Sequence, residues 1–359
     1  MNQPDASLRG VFAQLSALGY GEVAFRHDQD SGLRAIVAIH DRRLGPALGG
    51  TRFIAYANEH AALTDVLRLA RAMTAKAALA GLAHGGGKAV IIRPPGDFDR
   101  TRLIQAFGRF VNDLGGRYIT TEDSGTTIAD MDVIRSQTKH VCGFEIGSGG
   151  SGDPSPFTGL GVRRGIEATV KHALGRDELA GVRVAVQGVG NVGYYLCKEL
   201  HALGAKLTVA DLRAEACTRV ADELGASVVD VAEVHRSECD VYAPCALGGA
   251  INDATIAELR CRIVAGGANN QLDHDALGEQ LRARGVLYAP DYAINAGGLI
   301  NVAQEVAGYD AQKSRANTLR IYDTILEICQ RADSSNTPTN RVADAMVAEI
   351  LSKANNLGC

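Results

Sequence analysis

Two lysines and one aspartate in the first half of the chain stand where chemistry is possible. Lys88 follows Gly85-Gly86-Gly87 in GLAHGGGKAVII, residues 81–92, and leads into a run that reads as a buried strand. Lysine ordinarily occupies solvated faces, so a lysine at the mouth of an apolar strand is unusual. Burial and a neighbouring cation both disfavour a protonated amine, and an amine tuned in this way can serve as a general base near neutral pH. The neighbouring cation is Lys76, twelve residues upstream in RAMTAK, which could also hold a substrate anion. Asp123, at the end of the strand-like run in RYITTEDSGTT, supplies a carboxylate to relay protons with Lys88. The bare backbone of the glycine run, and of GPALGGTR at 45–52, would let a small molecule lie against main chain with no Cβ in the way. His84, beside the glycines, reads as a satisfied or half-exposed side chain rather than a reactive one.

A second group of residues reads as a phosphate cradle. VRVAVQGVGNVGYYLCKELHALGAKLTVAD, residues 182–211, has the plan strand, turn, helix, strand. Gly188, Gly190 and Gly193 form G-x-G-x-x-G, with Val189, Asn191 and Val192 between them. The first glycine allows the tight turn, the second lets backbone approach a pyrophosphate, and the third allows close helix–strand packing. Free N–H groups and the positive helix end then face the phosphates. Asp211 ends the next strand, eighteen residues after Gly193, where its carboxylate can accept hydrogen bonds from an adenosine ribose. The same charge would repel a 2′-phosphate, which favours NAD over NADP; Arg213 weakens that preference slightly.

The elements that must carry these residues follow from periodicity. At 359 residues the chain exceeds the size at which one core stops growing, so two domains are expected. The sharpest break is EIGSGGSGDPSP at 145–156, a natural hinge. Before it, RAIVAIHD, LGGTRFIAY, KAVIIRP and RYITTED read as strands, and a long helix starts near Asn58 as N-cap. After it, VRVAVQGV, AKLTVAD, ASVVD, CDVYAPC, CRIVAGGA and GVLYAPD are short apolar runs separated by amphipathic segments, the pattern of a parallel sheet covered on both faces. The expected fold is α/β: an N-terminal substrate domain with a mixed sheet over residues 1–150, joined by C-terminal helices at 331–359, and a Rossmann-type doubly wound nucleotide domain over 151–330, with a cleft between them. A net charge of −4 without a basic stripe argues against nucleic acid and anionic membrane as partners. No run is apolar enough to span a bilayer, and MNQPDASLRG does not read as a secretory leader. The eight cysteines show no zinc spacing, so no metal site is expected, and reduced thiols in the cytoplasm are the expected state.

The motifs RAMTAK, GLAHGGGKAV, TTEDSGT, GVGNVGYYLCKEL, CDVYAPCALGG, GGANNQL and APDYAINAGGLINV occur in that order. With them the chain resembles the glutamate/leucine/phenylalanine/valine family of amino-acid dehydrogenases, most closely its leucine- and phenylalanine-type branch. The resemblance implies reversible, NAD-dependent oxidative deamination of an L-amino acid to a 2-oxo acid, ammonia and NADH. It makes Lys88 and Asp123 catalytic, and it gives Lys76, with the backbone of Gly49 and Gly50, the α-carboxylate of the substrate. Asn270 would touch the substrate, and Asn269, Arg52, Thr158, Ala246, the residues Gly188 to Gly193 and Asp211 the cofactor. Leu48, Thr121, Leu299 and Val302 would wall the side-chain pocket; none is basic, which argues against glutamate. Leucine or valine is favoured, with phenylalanine close and tryptophan an alternative. A 2-hydroxy-acid dehydrogenase is disfavoured by the paired lysines, and a decayed NAD-binding regulator by the intact Lys76, Lys88 and Asp123. Ala72 and Ala75 depart from the Gly and Tyr usual in relatives, and Ser124 from Val. Enzymes of this plan assemble as homo-oligomers, dimers or multiples, through the first domain.

Overall fold

Strand-forming runs in the first part of the chain build a five-stranded sheet: β1 (Glu22–Asp28), β2 (Leu33–Asp41), β3 (Ala47–Ile54), β4 (Gly85–Ile92) and β5 (Tyr118–Glu122). This computed structural model describes residues 10–357; the leader-free reading of the first nine residues and Cys359 lie outside the described residues. The strand order is β1-β2-β4-β3-β5. β2 is antiparallel to β1 and β4, whereas β3 is parallel to β4 and β5, so the sheet is mixed. A short helix, α1 (Val11–Leu18), precedes it, and α2 (Glu59–Leu79) starts where Asn58 accepts from the Ala61 N–H at 2.8 Å. Alternation along the strands sorts side chains to two faces. Ile36, Ala38, Val90 and Ile92 pack on Ala62, Val66, Leu67 and Ala70 of α2. Ala35, Val37, Ala89 and Ile91 pack on the other side against Leu103, Phe107 and Phe110 of α3 (Arg100–Asp113). By the same alternation Lys88 issues on the α2 face. A further helix, α4 (Ile128–Arg135), opens with a capping box between Thr127 and Asp130.

The glycine run has a packing role that its sequence did not disclose. It belongs to β4 itself, and a Cβ at Gly86 would stand 2.1 Å from the Thr74 backbone nitrogen of α2. On the opposite face a Cβ at Gly87 would stand 2.8 Å from the Tyr118 ring, and one at Gly85 would stand 1.8 Å from the Asp41 carbonyl oxygen. Protein atoms thus fill the space that the sequence reading left to a small molecule. β1 was also not anticipated: its half-buried edge position gives EVAFRHD only a weak alternation.

The second sheet contains β6 (Arg183–Gln187), β7 (Lys206–Ala210), β8 (Ser227–Val228), β9 (Val241–Pro244), β10 (Ile263–Val264) and β11 (Leu287–Tyr288). All its pairings are parallel, in the order β11-β10-β9-β6-β7-β8. The order reverses between β6 and β9, the doubly wound arrangement whose switch point opens a crevice at the carboxyl ends of the strands. Around it lie α5 (Ser155–Leu174), α6 (Asn191–Ala202) and α7 (Ala214–Leu224).

The mixed sheet belongs to a unit of residues 10–153, 301–311 and 349–357, and the parallel sheet to a unit of 154–300 and 312–348. The helix Ile321–Ser335 packs on α5 and buries Ile325, Ile328, Cys329 and Ala332. That apolar seam keeps residues 312–348 with the parallel sheet, so the return to the first unit is made by 301–311 and the chain end, not by 331–359 as a block. Seven cysteines among the described residues are free thiols, and no described helix is long and apolar enough to cross a membrane.

Gly86→Ala forces a methyl into the α2 backbone and is expected to cost about 3 kcal/mol or more. Gly21→Ala, where a Cβ meets nothing within 4 Å, serves as the neutral control. Urea unfolding of both variants checks this; equal stabilities would contradict the packing role.

Candidate active site

Lys88 lies on β4 and Asp123 directly follows β5, strands that are not neighbours. β3 runs between β4 and β5, and at the level of the two side chains it presents Gly50. A Cβ there would lie 2.7 Å from the Asp123 Cβ and 3.3 Å from Lys88 Nζ. Because Gly50 carries none, the Lys88 ammonium crosses β3 and forms an ion pair with the Asp123 carboxylate. The lysine is only 7% exposed. The carboxylate expected to work with this amine, Asp123, is the group it faces. Lys76 stands on the last turn of α2, two residues beyond the Thr74 that meets Gly86.

The carboxylate is fixed from several sides. The Asp123 N–H donates to Thr126 Oγ1 at 2.9 Å, and that hydroxyl donates in turn to the Thr51 carbonyl at 2.9 Å. Tyr118, fully buried, donates to the Gly49 carbonyl at 2.7 Å and so ties β5 to the glycine pair of β3. Arg52 Nε lies 3.8 Å from Asp123 Oδ2. Burial alone would push the Asp123 carboxyl up, but the Lys88 ammonium and then the Arg52 guanidinium outweigh it and hold the group down at about 2. It is therefore an anion at any working pH. Thr126 was not singled out in the sequence, although an Asp followed three residues later by Thr is a turn signal. His84 is buried, with Nδ1 3.3 Å from the Pro46 carbonyl oxygen.

In the other unit the glycine turn follows β6 directly. Gly188 has φ +91°, a left-handed conformation that favours glycine, and a Cβ on it would stand 2.7 Å from the Ala246 Cβ. At Gly193 a Cβ would stand 2.0 Å from the Gly188 carbonyl oxygen, so α6 seats tightly on the turn. Gly190 is different: its Cβ position is open apart from Arg213 Nη2 at 3.4 Å. Val189, Asn191 and Val192 complete the turn and open α6. The Asp211 carboxylate accepts from the Val189 and Arg213 N–H groups, each at 2.9 Å. Burial raises this carboxyl, but those bonds and the Arg213 side chain bring it below the usual carboxylate range. Beside it opens a cavity of about 470 Å³, lined in part by Gly188, Asp211, Leu212, Val231, Ala246 and Leu247. Leu212 and Leu247 are 89% and 84% exposed, apolar edges that the sequence reading passed over.

The remaining candidates fall in three places. Leu48 and Thr121 are buried on β3 and β5, on the face that carries Lys88. Leu299 and Val302 are buried one turn apart in the helix Gly297–Ala303. Thr158 sits on the first turn of α5, its hydroxyl donating to the Pro154 carbonyl at 3.1 Å. Asn270 holds a φ of +52°, and Asn269 Oδ1 accepts from Asn295 Nδ2 at 2.8 Å. Asn295 also reaches the Gly267 carbonyl at 3.2 Å, so it clamps the loop that carries both asparagines. No cluster of metal-ligating side chains occurs among the described residues.

The depressed Asp123 carboxyl makes a pH prediction. Its contribution to stability, about 2 kcal/mol, is complete above the unfolded value near 4 and is lost as pH falls through about 2. Urea unfolding of wild type and Asp123→Asn should show a constant gap from neutral pH to about 5 that shrinks below about 4. A gap that stays constant to the acid limit of the folded protein would contradict the assignment.

Comparison with known proteins accords with both units. The family model described as Glu/Leu/Phe/Val dehydrogenase, dimerisation domain, matches residues 20–140. The model described as Glutamate/Leucine/Phenylalanine/Valine dehydrogenase matches 149–214 and 208–356. A leucine dehydrogenase of Bacillus cereus is 49% identical over 346 residues, 96% of this chain and 94% of the relative. A valine dehydrogenase of Streptomyces albus is 45% identical over 340 residues, 94% of this chain and 93% of the relative. Among solved structures, the L-tryptophan dehydrogenase from Nostoc punctiforme is similar with a TM-score of 0.85 and 42% identity, covering 96% of this chain and 100% of that one. Identity of this extent along both units leaves one conclusion: the chain belongs to the glutamate/leucine/phenylalanine/valine dehydrogenase family and is an amino-acid dehydrogenase.

Proposed function

We propose that this dehydrogenase uses NAD to deaminate L-leucine or L-valine reversibly to the 2-oxo acid and ammonia. The observation that carries the reading is the buried Lys88–Asp123 pair facing across Gly50. The glycine turn fits a dinucleotide: Gly190 leaves the space over the turn free of side chain, and the adjoining cavity is edged by the Asp211 carboxylate. Gly188 to Gly193, Asp211, Ala246, Thr158 and Asn269 are the residues assigned to hold it. Bound there, NAD would supply the nicotinamide that accepts hydride from the substrate Cα.

The chain's own residues account for the rest. Lys76 and the main chain of Gly49 and Gly50 hold the α-carboxylate, and Asn270 adds a polar contact, which fixes the direction of the Cα–H bond. Asp123, an anion in the resting site, takes the proton that the substrate ammonium must lose before hydride can leave. Loss of hydride leaves a substrate iminium. Lys88, as the free amine, takes a proton from water as that water adds to the iminium carbon. The resulting ammonium stabilises the charge that develops on oxygen; the proton held by Asp123 passes to the nitrogen, which departs as ammonia while the hydroxyl proton leaves to solvent.

The residues assigned to the side-chain pocket, Leu48, Thr121, Leu299 and Val302, include no cation, and the leucine and valine dehydrogenase relatives point to branched aliphatic substrates. A second reading, tryptophan, is favoured by the similar tryptophan dehydrogenase structure and by the small Ala75. Such substrates differ by contacts worth only about 1–3 kcal/mol each. The dimerisation description matched by residues 20–140 supports a homo-oligomer.

The test is a panel of L-amino acids with NAD and NADP, followed by NADH or NADPH formation and run also in reverse with 2-oxo acids and ammonia. Leucine or valine with NAD should give the highest kcat/KM; tryptophan ahead of both would establish the second reading. Lys88→Ala should lose roughly 10²–10⁴-fold in kcat while NADH binding, read by fluorescence, stays near wild type. Comparable turnover in that variant would defeat the role of Lys88.

A further inference from the structure

Arg52 lies beside the catalytic pair with one edge tied and the other facing it. It leaves β3 two residues beyond Gly50, on the Lys88 face. Its Nη1 donates to Asp65 Oδ2 at 2.8 Å, and the Tyr56 hydroxyl donates to the same oxygen at 2.7 Å. Its Nε lies 3.8 Å from Asp123 Oδ2, and this buried N–H has no hydrogen-bond partner among the described residues. Asp65 and Tyr56 thus hold the guanidinium in place, while Asp123 receives its charge at a distance longer than a hydrogen bond.

We infer that Arg52 is a positioning residue for catalysis, a fixed charge that shares Asp123 with Lys88 and sets the pH at which the pair becomes a working base. The inference rests on the proposed roles of Lys88 and Asp123. Arginine does not lose its proton in proteins. Its charge attracts the Asp123 carboxylate at 3.8 Å and, in the same small space, opposes the Lys88 ammonium, so Arg52 bears on how the pair shares its charge. The resemblance assigns Arg52 to the cofactor; the role inferred here, beside the Asp123 carboxylate, is additional to that one.

The other charged and titratable groups around Asp123 are few. From β4 comes Lys88, and from β5 come Tyr118, whose hydroxyl is committed to the Gly49 carbonyl, and Glu122. Asp65 comes from α2 and offsets part of the Arg52 charge, and Tyr56 precedes that helix. Lys76 lies eleven residues after Asp65, three helical turns along the same stripe of α2. Of these, only Asp65 and Tyr56 are bonded to the Arg52 edge that points away from Asp123.

The experiment is the pH profile of kcat/KM for the best amino acid in wild type, Arg52→Gln and Arg52→Lys, with thermal midpoints and the KM for NAD. The substrate's own ionisation is common to all three. Arg52→Gln should move the rising limb upward by about one pH unit, and Arg52→Lys should restore it. If Arg52→Gln does not fold, Asp65→Asn, which strips the counter-charge from the guanidinium, should move the limb to lower pH. A limb that stays in place in these variants overturns the inference, whether stability falls or the KM for NAD rises. Lys88→Ala separates the two readings: full activity there would remove the role of the pair, whereas an inactive Lys88→Ala with an unmoved Arg52→Gln limb would remove Arg52 alone.

Discussion

The absence of one side chain, at Gly50, allows the contact on which the site depends. Lys88 on β4 and Asp123 at the end of β5 are separated by β3, and their charged groups meet because nothing projects from β3 between them. An ammonium at 7% exposure needs a partner. The same partner, held ionised by two cations, is the group that the proposed function sets to work on the substrate amine. Burial, charge pairing and reactivity are here one arrangement, and Thr126, Thr51 and Tyr118 fix its geometry.

The nucleotide turn follows a related rule with the opposite outcome at its outer positions. Gly188 and Gly193 are glycines because protein atoms occupy the places their side chains would need, whereas Gly190 is bare toward open space. Two of the three therefore build the turn, and the third leaves room over it for a ligand. The glycines of β4 are of the first kind: they let α2 and Tyr118 approach the sheet, and through α2 they seat the helix that bears Lys76. A glycine-rich segment next to an active site is not, by itself, a surface for substrate.

Much of this was legible in the sequence where the signal is local. The six apolar runs after residue 180 are the six strands of the parallel sheet; continuous apolar runs report burial on both faces for inner strands such as β9, while β8, at the edge, is exposed. Lys88 and Asp123 drew notice because their residue types are out of place at a strand mouth and a strand end. What was not legible depends on sheet order. Only the placement of β3 between β4 and β5 shows that Gly50 lies under the pair, and only the approach of α2 shows what Gly86 is for. β1 escaped because an edge strand half in water has little alternation to read. The clamp of Asn295 on Asn269 joins residues 26 apart in sequence, a distance that no periodicity reports.

If Lys88 and Asp123 work as one unit, removing both should cost scarcely more than removing the more damaging one. The direct measurement is a double-mutant cycle on kcat with Lys88→Ala, Asp123→Asn and the double variant, on protein shown to be folded and able to bind NADH. The account predicts strong non-additivity, with the double variant close to the worse single. Losses that multiply independently would mean that the two groups act separately and that their contact across Gly50 is structural only.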